Sequence, residues 1–147
     1  MKTLVVYDSV YGGTEKIAKA IADAIGNDAE ARRVGAVNPS DLKAFGLIIA
    51  GAPTNGGRPT PAMKDFLERV PTLAGTPVAA FDTRLTSKLV AVFGFAAGKI
   101  ASSLQEKGGT LVAPPQGFFV KGKEGPLKDG ELERAASWAR EVLEGAK

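Results

Sequence analysis

The sequence predicts a doubly wound α/β domain, a parallel sheet of five strands with crossover helices on both faces. Three observations carry this expectation. Short apolar, β-rich runs alternate with segments of helical period along the chain. The clearest runs are apolar at every position, as strands covered on both faces are. A chain of 147 residues encloses one core and is too short to make two comfortably.

The first run is Leu4-Val5-Val6-Tyr7. After a glycine-containing turn, Ile17, Ala18, Ile21 and Ile25 recur at helical spacing, and Gly26-Asn27 supplies a stop signal. A weaker strand around Ala31 to Val34 leads through Asn38-Pro39-Ser40 into a short helix near Asp41 to Ala44, with Ser40 as its candidate cap. Leu47-Ile48-Ile49-Ala50 is the next buried strand. The loop from Gly51 to Thr60 ends at Pro61, which fits the first turn of a helix whose inner face is Met63, Phe66, Leu67 and Val70. Pro77-Val78-Ala79-Ala80-Phe81 is the fourth strand, and Asp82 to Lys88 begins the connection after it. Ile100, Ala101 and Leu104 belong to a helix ending at Gly108-Gly109. Thr110 to Ala113 gives the fifth strand, which Gly117 to Val120 continues after an interruption at Pro114-Pro115. The stretch Lys121 to Gly130 is expected as a surface loop with a solvated basic face. The final helix carries Leu132, Ala135, Ala136, Ala139, Val142 and Leu143 on one stripe, which leaves Trp138 on its flank.

Composition removes whole classes of chemistry. With no cysteine and no histidine there is no thiolate nucleophile, no disulfide framework, and neither of the usual zinc ligands or neutral-pH proton shuttles. Carboxylates, amines, guanidinium groups, hydroxyls and backbone amides remain, or a cofactor that carries the reactivity itself. The formal charge of +3 is scattered without a basic block, so no nucleic-acid footprint is visible. No segment approaches the roughly 20 apolar residues of a membrane span, and the N-terminal apolar run is short for a secretory signal. These features point to a soluble, cytoplasmic protein.

In a doubly wound sheet the ligand lies beyond the carboxyl ends of the strands, where strand order switches. The loop after the first strand reads Asp8-Ser9-Val10-Tyr11-Gly12-Gly13-Thr14 and runs straight into a helix. Free amides at the helix start, small glycines and three hydroxyls describe an anion cradle suited to a phosphate. It holds no lysine or arginine. The glycine–lysine–serine/threonine ending of nucleotide-hydrolysing loops is missing, as is the dinucleotide fingerprint G-x-G-x-x-G. The third strand ends in Ile49-Ala50-Gly51-Ala52, without the acidic residue a phosphoacceptor receiver would need.

From Val5 to Ile21, and above all over Tyr7-Asp8-Ser9, Tyr11-Gly12-Gly13 and Thr14-Glu15-Lys16-Ile17-Ala18, the chain resembles the phosphate-loop signature of the flavodoxin family. The same stretch resembles the flavin domains of flavodiiron proteins. The resemblance extends over the chain in the order of strands and helices, at the length of the short-chain flavodoxins, and implies a sheet of order 2-1-3-4-5. It further implies that Ser9, Val10, Tyr11, Gly12, Gly13 and Thr14 bind the phosphate of flavin mononucleotide (FMN). Pro53, Thr54, Asn55, Gly56 and Gly57 would occupy the first ring-binding loop, and Asp82, Thr83 and Arg84 the second. Glycine at Gly56 and Gly57 permits the positive φ by which such a loop turns a carbonyl toward the flavin N5.

Two departures accompany the resemblance. Neither ring loop offers the family's usual tyrosine or tryptophan cover; Asn55 and Leu85 stand there, with Phe93, Phe95 and Phe118 as candidates to substitute. The chain is also basic, with Arg58, Arg84 and Lys88 in or near the site, which implies an acidic redox partner and a less negative second reduction than in an acidic relative. Blander readings stand beside these. Gly12-Gly13 makes a tight turn in any case, Asp82 can cap a turn, Arg84 and Lys88 can be solvated charges, and Phe118, Phe119 and Trp138 are packing residues before they are ring clamps. The function implied is a small electron carrier. The alternatives are a quinone or protoporphyrinogen-type FMN oxidoreductase with a pocket over the ring, and an interaction module that uses no flavin.

Overall fold

Alternation within each strand sends successive side chains to opposite sides of a sheet, and here both sides are covered. In β1 (Thr3–Tyr7), Leu4 and Val6 enter one core while Val5 and Tyr7 enter the other. The structure, a computed structural model, describes residues 1–85 and 95–147. After β1 come α1 (Gly13–Ile25), β2 (Ala29–Arg33), two 3-10 turns (Val34–Ala36 and Pro39–Ala44) and β3 (Leu47–Pro53). Then follow α2 (Pro61–Arg69), β4 (Pro77–Leu85), α3 (Ala96–Glu106), β5 (Thr110–Leu111), β6 (Gln116–Val120) and α4 (Glu131–Ala146). All pairings between these strands are parallel, in the order β2-β1-β3-β4-β5, as expected; β6 also pairs with β4. Helices α1 and α4 cover one face around Ile17, Ile21, Ala139 and Val142, and α2 and α3 cover the other around Met63, Phe66, Ile100 and Leu104.

Local signals act where the sequence puts them. Thr60 accepts a hydrogen bond from the Met63 amide at the start of α2, with Pro61 in the first turn. Gly26 ends α1 at φ 113°. The cap at Pro39–Ala44 is Asn38 rather than Ser40: the Asn38 side chain accepts from the Ser40 amide at 3.1 Å. β2 begins earlier than expected because its register with β1 runs from Thr3↔Ala29 to Tyr7↔Arg33.

Two elements, β4 and α4, depart further, while the fifth position of the sheet is interrupted where expected. β4 does not end at Phe81 but continues through Asp82, Thr83, Arg84 and Leu85, since β6 pairs alongside those residues. The fifth position of the sheet is split at Pro114-Pro115: β5 lies against Pro77–Val78 and β6 against Phe81–Leu85. In α4 the buried stripe is Ala135, Trp138, Ala139 and Val142, rotated from the expected one; Leu132 is 45% exposed while Trp138 is 4% exposed. The rotation packs the Trp138 indole edge-on to Phe81 and Phe118, with centroids 6.1 and 6.0 Å away. Phe118 is thus core, as its bland reading has it, and not a ring clamp.

One ionic cluster fastens α4 to β6. Glu131, buried at the helix start, accepts from Arg134 Nε at 2.8 Å through one oxygen and from the Phe119 amide at 2.7 Å through the other. The Arg134 hydrogen bond, helped by the Phe119 N–H, holds the Glu131 carboxyl below its ordinary value of 4.5. A carboxyl depressed on folding stabilises fully above its unfolded pKa, and that contribution disappears as pH falls through the folded one. Acid titration of stability should therefore lose part of its slope below about pH 4.5 in Glu131→Gln. Denaturation at a series of pH values checks this; parallel curves for the two proteins would refute it.

Candidate functional site

The strand order reverses between β1 and β3, whose carboxyl ends therefore open a crevice. The chain leaves β1 through Asp8 to Gly12 and enters α1 at Gly13. Gly12 is left-handed at φ 95°, a conformation glycine adopts without the Cβ penalty. Ser9 folds the loop on itself: its Oγ accepts from the Gly12 amide at 3.1 Å and the Glu15 amide at 3.3 Å. Among the described residues no acceptor reaches the amides of Val10, Tyr11, Gly13 and Thr14. These four amides, beside a helix start, form a concentrated donor set for an anion.

Contacts distant in sequence hold the loop in place. Thr14 Oγ1 and Thr83 Oγ1 lie 2.7 Å apart in a buried pair that ties α1 to the end of β4. Two hydroxyls have two protons and use one between them, so one O–H remains to donate to a ligand. Arg33, which the sequence reading overlooked, clamps the loop from β2. Its guanidinium donates to the Ser9 carbonyl at 2.9 Å and to Glu15 at 3.4 Å, and lies 3.8 Å from Asp8. Only the strand pairing places Arg33 beside Tyr7. The Tyr7 hydroxyl donates to Glu15 at 2.9 Å; that bond holds Glu15 below the usual carboxylate range, while burial, reinforced by Glu15, raises Tyr7.

At the loop after β1 lies a cleft lined by Val10, Tyr11, Gly13 and Thr14, by Pro53, Thr54, Thr83, Arg84 and Leu85, and by Val120, Lys123 and Gly125. Eight of the sequence-predicted residues thus line one cleft: Val10, Tyr11, Gly13, Thr14, Pro53, Thr54, Thr83 and Arg84. Tyr11 is 52% exposed and is the aromatic that lines it among the described residues. Ser9 and Gly12 shape the loop behind. Phe95 is covered by the Arg84 guanidinium, 3.5 Å above its ring; Phe93 and Lys88 lie outside the described residues.

Asn55, Gly56 and Gly57 stand apart from that lining. Asn55 and Arg58 exchange two backbone hydrogen bonds of 2.8 and 3.1 Å around Gly56 and Gly57, which have φ of 59° and 79°. This is a tight hairpin turn that requires positive φ at both central residues. Lys99 on α3 donates to the Gly57 carbonyl and fixes the turn to that helix. Arg58 points away from the cleft, into a groove between α2 and α3.

Asp82 and Arg84 differ from the solvated or loop-like roles considered for them. Asp82 is fully buried; it receives Nε and Nη2 of Arg84 at 2.7 and 2.8 Å and also caps α3 through the Ala97 amide at 2.9 Å. Thr54 Oγ1 accepts from the neighbouring Ala96 amide at 2.9 Å. Arg84 is packed between Phe95 and Gly117, where a Cβ would fall on the guanidinium. Arg84 therefore lines the cleft with its charge already engaged by a buried carboxylate.

The profile of the flavodoxin domain family matches residues 4–112. Among solved structures, flavodoxin 2 of Bacillus cereus is 27% identical, with a TM-score of 0.80 over 98% of this chain and 99% of that one. A flavodoxin from the domain Archaea is 25% identical, with a TM-score of 0.81 over 99% of each chain. The rubredoxin oxygen:oxidoreductase of Desulfovibrio gigas shares the fold at 21% identity and TM-score 0.77; 99% of this chain covers 36% of that larger one.

Proposed function

Because the chain belongs to the flavodoxin domain family, we propose that it binds FMN noncovalently in the cleft between β1 and β3 and carries electrons between redox partner proteins through the exposed edge of the ring. The observation that carries this reading is the donor set at the start of α1. Four amides without acceptors among the described residues, the spare hydroxyl proton of the Thr14–Thr83 pair and the Ser9 hydroxyl match the several oxygens of a phosphomonoester. Bound flavin supplies the redox chemistry, which accounts for a site without histidine or cysteine.

The chain's own residues then bind and orient. Pro53, Thr54, Thr83 and Leu85 form the wall that receives the ring, and Tyr11 is positioned at its rim. Asp82 holds the Arg84 guanidinium in place; because they are paired, Arg84 acts on the ring as one end of a dipole and not as a lone cation. The turn at Asn55 to Arg58 stands at the edge, restrained by Lys99.

A basic partner surface adjoins this edge. The groove between α2 and α3 is lined by Arg58, Lys64, Lys99 and Lys107 against Glu68 and Glu106, which favours an acidic redox partner and a salt-sensitive encounter. We place the activity in the cytoplasm; among the described residues no helix is long and apolar enough to cross a membrane.

Flavin-stripped protein should quench FMN fluorescence on titration with Kd below about 1 μM, and potentiometry of the loaded protein should resolve two one-electron steps. A single two-electron step would replace the carrier by an oxidoreductase enzyme. Absence of binding would remove flavin from the function altogether.

A further inference from the structure

The anion cradle has an electrostatic deficit. Around the phosphate loop, Asp8 and Glu15 are negative, and the two cations facing them are Arg33 and Lys19, the latter 3.9 Å from Glu15. These four ion-paired charges cancel, and Lys16, exposed next to Glu15, is not part of the cleft lining, which leaves amides and hydroxyls as the loop's own donors to a dianion. Of the cleft's lining residues, Arg84 is consumed by Asp82. The remaining cation is Lys123, which makes no ion pair or hydrogen bond among the described residues.

Lys123 is held there by structure that the sequence reading took for a surface loop. Val120 and Leu127 pair as an antiparallel bridge, the Lys121 amide donates to Pro126 at 2.8 Å, and the Lys128 amide donates to Phe119 at 2.9 Å. The Gly125 amide closes the tip onto the Gly122 carbonyl at 2.9 Å, with Lys123 and Glu124 between them. The base of this hairpin rests on the phosphate loop: a Cβ on Gly13 would meet Val120 at 3.5 Å and Leu127 at 3.6 Å. Lys123 at the tip therefore lines the same cleft as Val10, Tyr11, Gly13 and Thr14, while Lys121 lies 3.8 Å from Asp129.

We propose that Lys123 is the counter-charge for the ligand's phosphate, supplied by the hairpin after β6, and that it makes the site prefer a phosphomonoester over its unphosphorylated form. This rests on the flavin reading above and assigns a binding residue to that site. A long flexible cation at a hairpin tip gains little at an exposed surface and more once the dianion and the hairpin exclude water between them.

The test is a fluorescence titration of flavin-stripped protein with FMN and with riboflavin, at several potassium chloride concentrations, for wild type, Lys123→Gln, Lys123→Arg and Lys121→Gln. Lys123→Gln should bind FMN roughly three- to tenfold more weakly, between the effects of an exposed ion pair and a charge-assisted hydrogen bond. Its riboflavin affinity should be unchanged and its FMN affinity less sensitive to salt. Lys123→Arg should restore FMN binding, and Lys121→Gln should match wild type. Wild type that binds FMN, with Lys123→Gln binding it equally at every salt concentration, overturns the Lys123 assignment alone. Wild type that binds neither flavin overturns the flavin reading and this assignment with it. Equal unfolding midpoints for the variants show that differences in affinity are not losses of fold.

Discussion

Replacing Arg84 with alanine is expected to lower the unfolding free energy by about 3–5 kcal/mol, the typical loss when one member of a buried ion pair is removed. Asp82 is fully buried and Arg84 only 16% exposed, so water cannot readily substitute for the guanidinium. The carboxylate would retain the Ala97 amide and lose both hydrogen bonds from its one charged partner. Urea denaturation measures the effect. A double variant, Asp82→Asn with Arg84→Met, keeps an oxygen for the Ala97 amide and removes both charges; it should lose less than Arg84→Ala. Gly117→Ala supplies an independent check, since its Cβ would displace the same guanidinium. Its loss should shrink in the Arg84→Ala background, as expected for coupled sites. Additive losses, or a loss below about 1 kcal/mol for Arg84→Ala, would show that the pair is not buried as described.

Trp138→Ala should cost a similar amount, about 3–5 kcal/mol, through lost transfer energy and the cavity left behind. The indole fills the angle between Phe81 and Phe118, themselves edge-to-face at 6.2 Å, and so joins α4 to β4 and β6 at one point. Among the described residues its buried Nε1–H has no hydrogen-bond partner, a defect that costs about 1–3 kcal/mol in comparable settings. Trp138→Phe gives up contact area but removes that unsatisfied donor. It should stay within about 1 kcal/mol of wild type, because the two effects oppose each other. Thermal and denaturant unfolding of the two variants decide the matter. Equal losses for alanine and phenylalanine would mean that the N–H, and not the ring volume, matters at this position.

What could be read from the sequence is what neighbouring residues determine. Ile17, Ala18 and Ile21 specify the buried face of α1, Thr60-Pro61 specifies its capped counterpart in α2, and the runs at Leu4 and Leu47 specify strands buried on both sides. The turn from β1 into α1 was legible for the same reason: its glycines, hydroxyls and helix start are contiguous. The end of β4 was not legible because Asp82-Thr83-Arg84 is polar in composition and becomes buried only when its charges satisfy each other beside β6. Thr14 and Thr83 meet across 69 residues, and Arg33 reaches Ser9 through strand pairing, so no periodicity within a window reports either contact. The hairpin carrying Lys123 lacks an apolar pattern of its own; its place follows from the pairing of β6 with β4.

The broken fifth position of the sheet also bears on how chains meet one another. An uninterrupted, flat edge strand invites another chain to extend the sheet and begin aggregation. On one side, that invitation is cut short at β5, which is two residues long and followed by Pro114 and Pro115, neither of which has an amide proton to offer, while β6 beyond them has its Phe119 amide engaged by Glu131 and its Gly117 carbonyl by Arg134. On the other side, β2 displays Glu30, Arg32 and Arg33, so an incoming strand would have to place its backbone beside charges already engaged with one another and with the phosphate loop. Colloidal stability at this sheet is thus secured by two different devices, proline interruption at one margin and charge at the other.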